Sequence, residues 1–285
     1  MIAGASRLSP SISGLRSSCV FSLVILLCLT GARGATASGT LPPTPVAVPG
    51  SAPEIAIIID DMGARLEAGQ RVMQLPGPVA CSFLPYAAYT HQLALLAHSR
   101  NKEVMLHLPM ATVDGHALDA GGLTLDMTEQ ELVATLEKNI ARVPHVSGIN
   151  NHMGSLLTRH PGHMLWLMRA MRNDQQWFFV DSRTTKYTVA RQIAFENSVP
   201  SVSRDVFLDD DPSPEAVQRE FMRLIGLARR NGSALGIGHP HPATLAVLQR
   251  ELAQLSKHGV TLVPVARLVQ RQQERDSQWR ASLSP

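Results

Sequence analysis

The sequence predicts an α/β protein in which seven or eight mostly parallel strands alternate with helices and close, or nearly close, into a (β/α) barrel. Two observations predict it. Short apolar runs alternate along the chain with amphipathic segments of helical period, the pattern of right-handed βαβ units. Nearly every ionisable group that adjoins an apolar run sits at its C-terminal end, where parallel α/β folds gather their ligand sites.

The N-terminal segments read as lying outside that body. Residues 1–37 have the layout of an export signal, with Arg7 and Arg16 ahead of the apolar stretch Cys19 to Leu29. Gly34-Ala35-Thr36-Ala37 then offers a small-residue cleavage site. That stretch falls short of the roughly 20 apolar residues a membrane helix needs, so no stable membrane span is expected once the signal is removed. Export is the expectation, to the periplasm if the source has an outer membrane. Residues 38–53 carry Pro42, Pro43, Pro45, Pro49 and Pro53 without a charge and read as a semi-extended linker.

The folded body is expected over residues 54–270. Its first run, Ile55-Ala56-Ile57-Ile58-Ile59, is nearly continuous and β-branched, as a strand buried on both faces requires. Further strands are expected at 79–84, 104–107, 146–150, 177–180, 201–203, 234–238 and 260–263. Between them Thr128 and Glu131 form a capping box ahead of the stripe Leu132, Leu136, Ile140. Ser213-Pro214 opens a helix lined by Val217, Phe221, Leu224 and Ala228, which Asn231-Gly232 stops. Leu245, Leu248, Leu252 and Leu255 line another, ended by Gly259. Residues 271–285 read as a polar tail, a helix end that frays.

Charge and cysteine narrow the function classes. The chain has 26 Lys+Arg against 23 Asp+Glu, a formal charge of +3. Arg7, Arg16 and Arg33 account for that excess, because residues 1–37 contain no acid. The mature chain is balanced and lacks the basic surface nucleic-acid binding needs. Cys19 and Cys28 leave with the signal, so Cys81 cannot form an internal disulfide and reads as a buried apolar residue.

The strand ends carry the chemistry. The first ends in Asp60-Asp61, the third in His107, the fourth in Asn150-Asn151-His152, the fifth in Asp181-Ser182-Arg183, and the late strand 234–238 in His239-Pro240-His241. Adjacent carboxylates repel, and a nearby cation is the simplest way to keep both ionised. One carboxylate with two imidazoles is a ligand set suited to a divalent ion such as Zn²⁺ with a position left for water. A second carboxylate can take the water's proton and a histidine across the cleft can protonate a leaving amine. Asp60, Asp61 and His239 have the types for these roles, and spacing does not say which aspartate does which. Asp209-Asp210-Asp211 precedes Pro212-Ser213-Pro214 and reads as helix-start chemistry. Met164, Met168 and Met171 read as core filler, and Trp166, Trp177 and Tyr187 as core or rim. No glycine-rich loop or arginine cluster of the kind that holds phosphate is legible.

Ile57 to Gly63, Glu103 to Met110, Gly148 to Ser155, Phe179 to Thr185, Arg204 to Asp209 and Gly236 to Pro242 resemble the divergent polysaccharide deacetylase family, a distant branch of the nodulation-type deacetylases. The resemblance spans about residues 53–270 and implies a distorted (β/α) barrel that hydrolyses N-acetyl groups on an amino-sugar polysaccharide or peptidoglycan-type glycan of the cell envelope. It implies Asp60 as general base, Asp61 as metal ligand, His107 as the first histidine of a His-x-x-x-His ligand motif, and His239 as general acid. Asp181 resembles the acid that orients site groups. Asn151, Arg183 and His241 are expected around substrate or ligands. The motif's second histidine is absent, since position 111 is Ala111, and His152 is the replacement expected here. That departure leaves an alternative: a glycan-binding or envelope scaffold protein that keeps the fold without cleaving.

Overall fold

The computed structural model of the protein describes residues 52–174 and 177–283. The expected signal and most of the expected linker lie outside the described residues. The body begins with β1 (Glu54–Met62), α1 (Leu66–Val72), β2 (Ala80–Phe83), α2 (Thr90–Ser99) and β3 (Val104–Met110). It continues with α3 (Glu129–Arg142), β4 (Val146–Met153), α4 (Pro161–Asp174), β5 (Phe178–Asp181), α5 (Ala190–Glu196) and β6 (Ser201–Ser203). β7 (Val206–Phe207), α6 (Pro214–Asn231), β8 (Ser233–Gly238), α7 (Pro242–Ala253), β9 (Thr261–Leu262) and α8 (Val265–Leu283) complete it. Eight strands lie in the order β6-β5-β4-β3-β2-β1-β8-β7, curled into a half-barrel, and β9 pairs with the start of β1. Every pairing is parallel. This is the distorted (β/α) barrel the sequence predicted; β7, only two residues long, carries no pattern of its own and was not anticipated.

Alternation along the strands places the site. Ile55, Ile57 and Ile59, with Leu106, Leu108 and Ile149, pack against the surrounding helices. Ala56, Ile58, Ala80, Met105, Phe178, Val180, Leu235 and Ile237 point the other way and form a second core with Val265, Leu268 and Val269 of α8. Two residues further along that second face come Asp60, Ser82, His107, Ser182 and His239, and on β4 the same face carries Asn150 and His152. The inner face is therefore apolar toward the strands' beginnings and polar at their ends. Cys81 is buried and free, and burial pushes its thiol up to about 12.

The helices form where their signals stand. Thr128 Oγ1 accepts from Glu131 N–H and Glu131 Oε2 accepts from Thr128 N–H at 2.8 Å, closing the capping box of α3. Pro214 opens α6 behind Ser213, and Gly232, at φ 82°, ends it. Over residues 271–283 the expected tail continues α8, which stays helical to Leu283. Its apolar start is anchored in the core, Arg191 bonds Asp276 at 2.8 Å, and Arg280 donates to the carbonyl of Phe195. Among the described residues no helix is long and apolar enough to cross a membrane.

Candidate functional site

Adjacent strand residues normally face opposite sides, so Asp60 and Asp61 should not share a site. The backbone resolves this: the β1–β2 register shifts between Ile59 and Met62, and Asp61 takes φ 53°, a left-handed conformation uncommon outside glycine. Met153 and Arg183, at the ends of β4 and β5, also have positive φ, 53° and 50°. Backbone strain of this kind clusters at functional sites.

Asp61 Oδ1, His107 Nε2 and His152 Nδ1 converge. The His107–His152 distance is 3.1 Å, His152–Asp61 3.1 Å and His107–Asp61 3.4 Å. Ligands about 2.0–2.2 Å from a tetrahedral ion stand about 3.3–3.6 Å apart, close to the separations here. Asp61 Oδ1 is buried and has no hydrogen-bond partner. Three lone-pair atoms, one of them an orphaned carboxylate oxygen, make a donor set that fits a divalent cation, and these three residues can hold one.

The ring tautomers agree. Asn150 Nδ2 donates to Asp60 Oδ1 at 2.9 Å and Oδ2 at 3.1 Å, and also to Ser182 Oγ. An ionised carboxylate only accepts, so the Asn150 amide nitrogen must face Asp60 and its oxygen must face His107. That oxygen stands 3.1 Å from His107 Nδ1 and accepts from Ser82 Oγ at 2.5 Å. The His107 proton therefore sits on Nδ1, leaving Nε2 bare toward Asp61. On the other ring, Asp119 Oδ2 lies 3.2 Å from His152 Nε2, an ion-pair contact too oblique for a hydrogen bond, and biases that proton the same way.

Electrostatics separate the two aspartates. Burial pushes the Asp60 carboxyl up, against the pull of His107 and His239. Burial also works against Asp61, but the close contact and charge of His107 and His152 hold its carboxyl well below the usual range. His107 is raised despite burial, because Asp60 and Asp61 both favour a positive charge between them.

His239 stands across from this group, its Nε2 3.9 Å from Asp61 Oδ2. Asp209 orients it, with Oδ1 3.0 Å from His239 Nδ1 and Oδ2 accepting from His239 N–H at 2.6 Å and Thr244 Oγ1 at 2.7 Å. Burial would lower this imidazole, but Asp209, backed by Asp60 and Asp61, lifts it to about 9. Asp209 is therefore more than helix-start chemistry, whereas Asp211 does serve the start of α6 by accepting from Ser213 N–H. His241 lies beside them, and Asp209, His239 and His241 offer a second group of ligand atoms within 4.8 Å. Both Asp209 oxygens there are already engaged.

Other expected residues hold the frame. Asn151 ties strand ends together, donating to the Met153 carbonyl and accepting from Ser182 N–H. Asp181 accepts from Arg183 N–H and Thr188 Oγ1, and touches neither histidine nor triad. Asn150, Asp119 and Asp209 were not anticipated. Counting back two from His152 reaches Asn150; nothing in the sequence pairs Asp119 or Asp209 with its histidine.

A cleft of about 770 Å³ opens over Asp60, His107, His152 and His239, and its lining includes Arg183, Arg204, Arg219 and Arg223. An arginine cluster therefore exists where none was legible. His239 also lines a hollow of about 170 Å³ with Asp61 and Arg65. Arg65 and Pro240 carry that hollow into a third, of about 480 Å³, reaching Tyr89.

The comparisons with known proteins follow the geometry. The model of the divergent polysaccharide deacetylase family matches residues 57–269. The uncharacterized protein YibQ of Escherichia coli (strain K12) is 37% identical over 216 residues, 76% of this chain and 67% of that one. An uncharacterized protein of Agrobacterium tumefaciens C58 has the same fold with a TM-score of 0.73, at 20% identity, over 78% of this chain and 91% of the other. The peptidoglycan deacetylase PdaC of Bacillus subtilis matches with a TM-score of 0.50 at 12% identity, over 82% of this chain and 98% of that one.

Proposed function

This chain belongs to the divergent polysaccharide deacetylase family, and from that premise we propose that it is an exported, metal-dependent hydrolase removing N-acetyl groups from an amino-sugar polysaccharide of the cell envelope. One observation carries the reading: the ligand atoms of Asp61, His107 and His152 lie 3.1–3.4 Å apart beside a buried carboxylate, Asp60, that is not one of them. The set suits Zn²⁺. Asp61, His107 and His152 would hold a divalent ion, which would supply polarisation of the acetamide carbonyl and a lowered pKa for water.

The chain's own groups supply the rest. Asp60, raised by burial and held by Asn150, accepts the proton of the attacking water. Asp61 stays ionised, and two carboxylates whose environments drive their pKa values apart are suited to different tasks. His239, protonated at neutral pH, delivers its proton to the amide nitrogen as the C–N bond breaks, leaving amine and acetate. Asp209 steadies the imidazolium.

Acetate release from N-acetylglucosamine oligomers by the zinc-loaded protein tests this. Asp60→Asn is expected to lower kcat by at least about 10²-fold, the usual scale for general-base loss. The missing second histidine at Ala111 favours one other reading, a glycan-binding scaffold. If no N-acetylated glycan yields acetate and Asp60→Asn leaves biological function intact, that reading replaces the hydrolase.

A further inference from the structure

The cleft's four arginines come from separate places: Arg183 after β5, Arg204 between β6 and β7, Arg219 and Arg223 on α6. Arg223 is committed, its Nε 2.6 Å from Glu220 Oε2. Arg204 is fixed, donating from Nε to the Ser182 carbonyl at 2.6 Å and from Nη2 to the Arg183 carbonyl at 2.9 Å, with its guanidinium 4.9 Å over the Phe207 ring. Those bonds hold the left-handed turn at Arg183 without neutralising any charge. The guanidinium groups of Arg183 and Arg219 have no hydrogen bond or ion pair among the described residues. The cleft is also lined by Asp60, Asp210, Asp211 and Glu220: Glu220 is taken by Arg223, Asp60 is held by Asn150, Asp211 accepts from Ser213 N–H and feels the charge of Arg219, and Asp210 is exposed. Burial lowers the Arg204 pKa and the neighbouring Arg183 charge lowers it further, while Asp181 and Asp60 act in the opposite direction.

We propose that the cleft takes an anionic substrate: an N-acetylated amino-sugar chain that also bears a carboxylate or phosphate, gripped by Arg183 and Arg219 while the acetamide lies at the Asp61–His107–His152 group. The inference rests on the hydrolase reading for the acetamide and on the arginines alone for the charge. Guanidinium forks match the paired oxygens of either oxyanion, and two forks whose N–H donors are all unused, beside a clamped third, break no hydrogen bond to receive one. Arg204 is a positioning residue, because its donors hold the Arg183 turn.

Calorimetry on the full zinc-loaded chain tests this with three probes: neutral N-acetylglucosamine tetramer, and the same tetramer bearing one carboxylate or one phosphate. A charged tetramer is expected to bind at least about tenfold more tightly than the neutral one, within reach of one charge-assisted hydrogen bond. Whether carboxylate or phosphate gains more identifies the source. Arg183→Glu and Arg219→Glu are each expected to abolish the preference, and Arg183→Lys to keep part of it. Arg219 lies on the exposed side of α6, so its variant answers even if a change at the Arg183 turn disturbs folding. Equal binding of neutral and charged tetramers, no binding of any, or a preference that survives both reversals overturns the proposal. Acetate is followed in the same samples. A charge preference without acetate release sinks the hydrolase reading and leaves this one; indiscriminate release does the reverse.

Discussion

At the residue scale the site is an exercise in fixing proton positions. Asn150 sets the side of the ring on which His107 keeps its proton, and Asp209 sets the charge of His239. The second has a pH consequence whose sign is fixed by the shift. His239 is raised to about 9 from an ordinary 6.5, so the protonated form is present at neutral pH and lost as pH rises through about 9. Acetate release should fall over that limb. Asp209→Asn removes the strongest raising influence and should move the limb to lower pH by about one unit or more, the usual effect of a close opposite charge. A pH–rate profile with an unmoved basic limb would show that His239 is not the proton donor. Asp60, Asp61, His107, His152 and His239 could be nominated from the sequence because each lies at the C-terminal end of an apolar run, and the structure brings them together. Asp209 was not, since Asp-Asp-Asp before Pro-Ser-Pro is also what a helix start looks like, and only the three-dimensional pairing with His239 separates the readings.

At the element scale, strand ends and helix caps were read from local chemistry, and local chemistry is what the sequence exposes. The capping box of α3 is the clearest case. Thr128→Ala removes the side-chain half of it and should cost about 1 kcal/mol. For a domain of this size that is a fall in Tm of about 2–4 °C, measurable by calorimetry without change in metal content. α8 shows the limit. Its polar second half has no stripe to read, and its helicity is sustained by partners on α5, Arg191 with Asp276 and Phe195 with Arg280. Long-range partners of that sort leave no local trace. The arginines of the cleft escaped notice for the same reason, being gathered by the β5–β6–β7 turns and one face of α6 rather than by proximity in the chain.

At the scale of the whole molecule, the triad draws one ligand from each of β1, β3 and β4, so an ion there would tie together strands that are far apart in sequence. Ion binding and folding are then coupled. Free zinc at a hundred times its dissociation constant stabilises by about 2.7 kcal/mol, an increase in Tm of about 5–10 °C. Thermal scans with zinc and with chelator should differ by that amount for the natural chain and not for Asp61→Ala or His152→Ala. Equal zinc content in all three proteins would refute the ligand assignment. The cleft and the smaller hollow beside it share His239 as a lining residue, and this carries a further consequence. A histidine that borders two hollows at once does not require a terminus of its guest. Interior units of a long polymer can be presented as readily as end units, so modification should scatter along the chain rather than erode it from one tip.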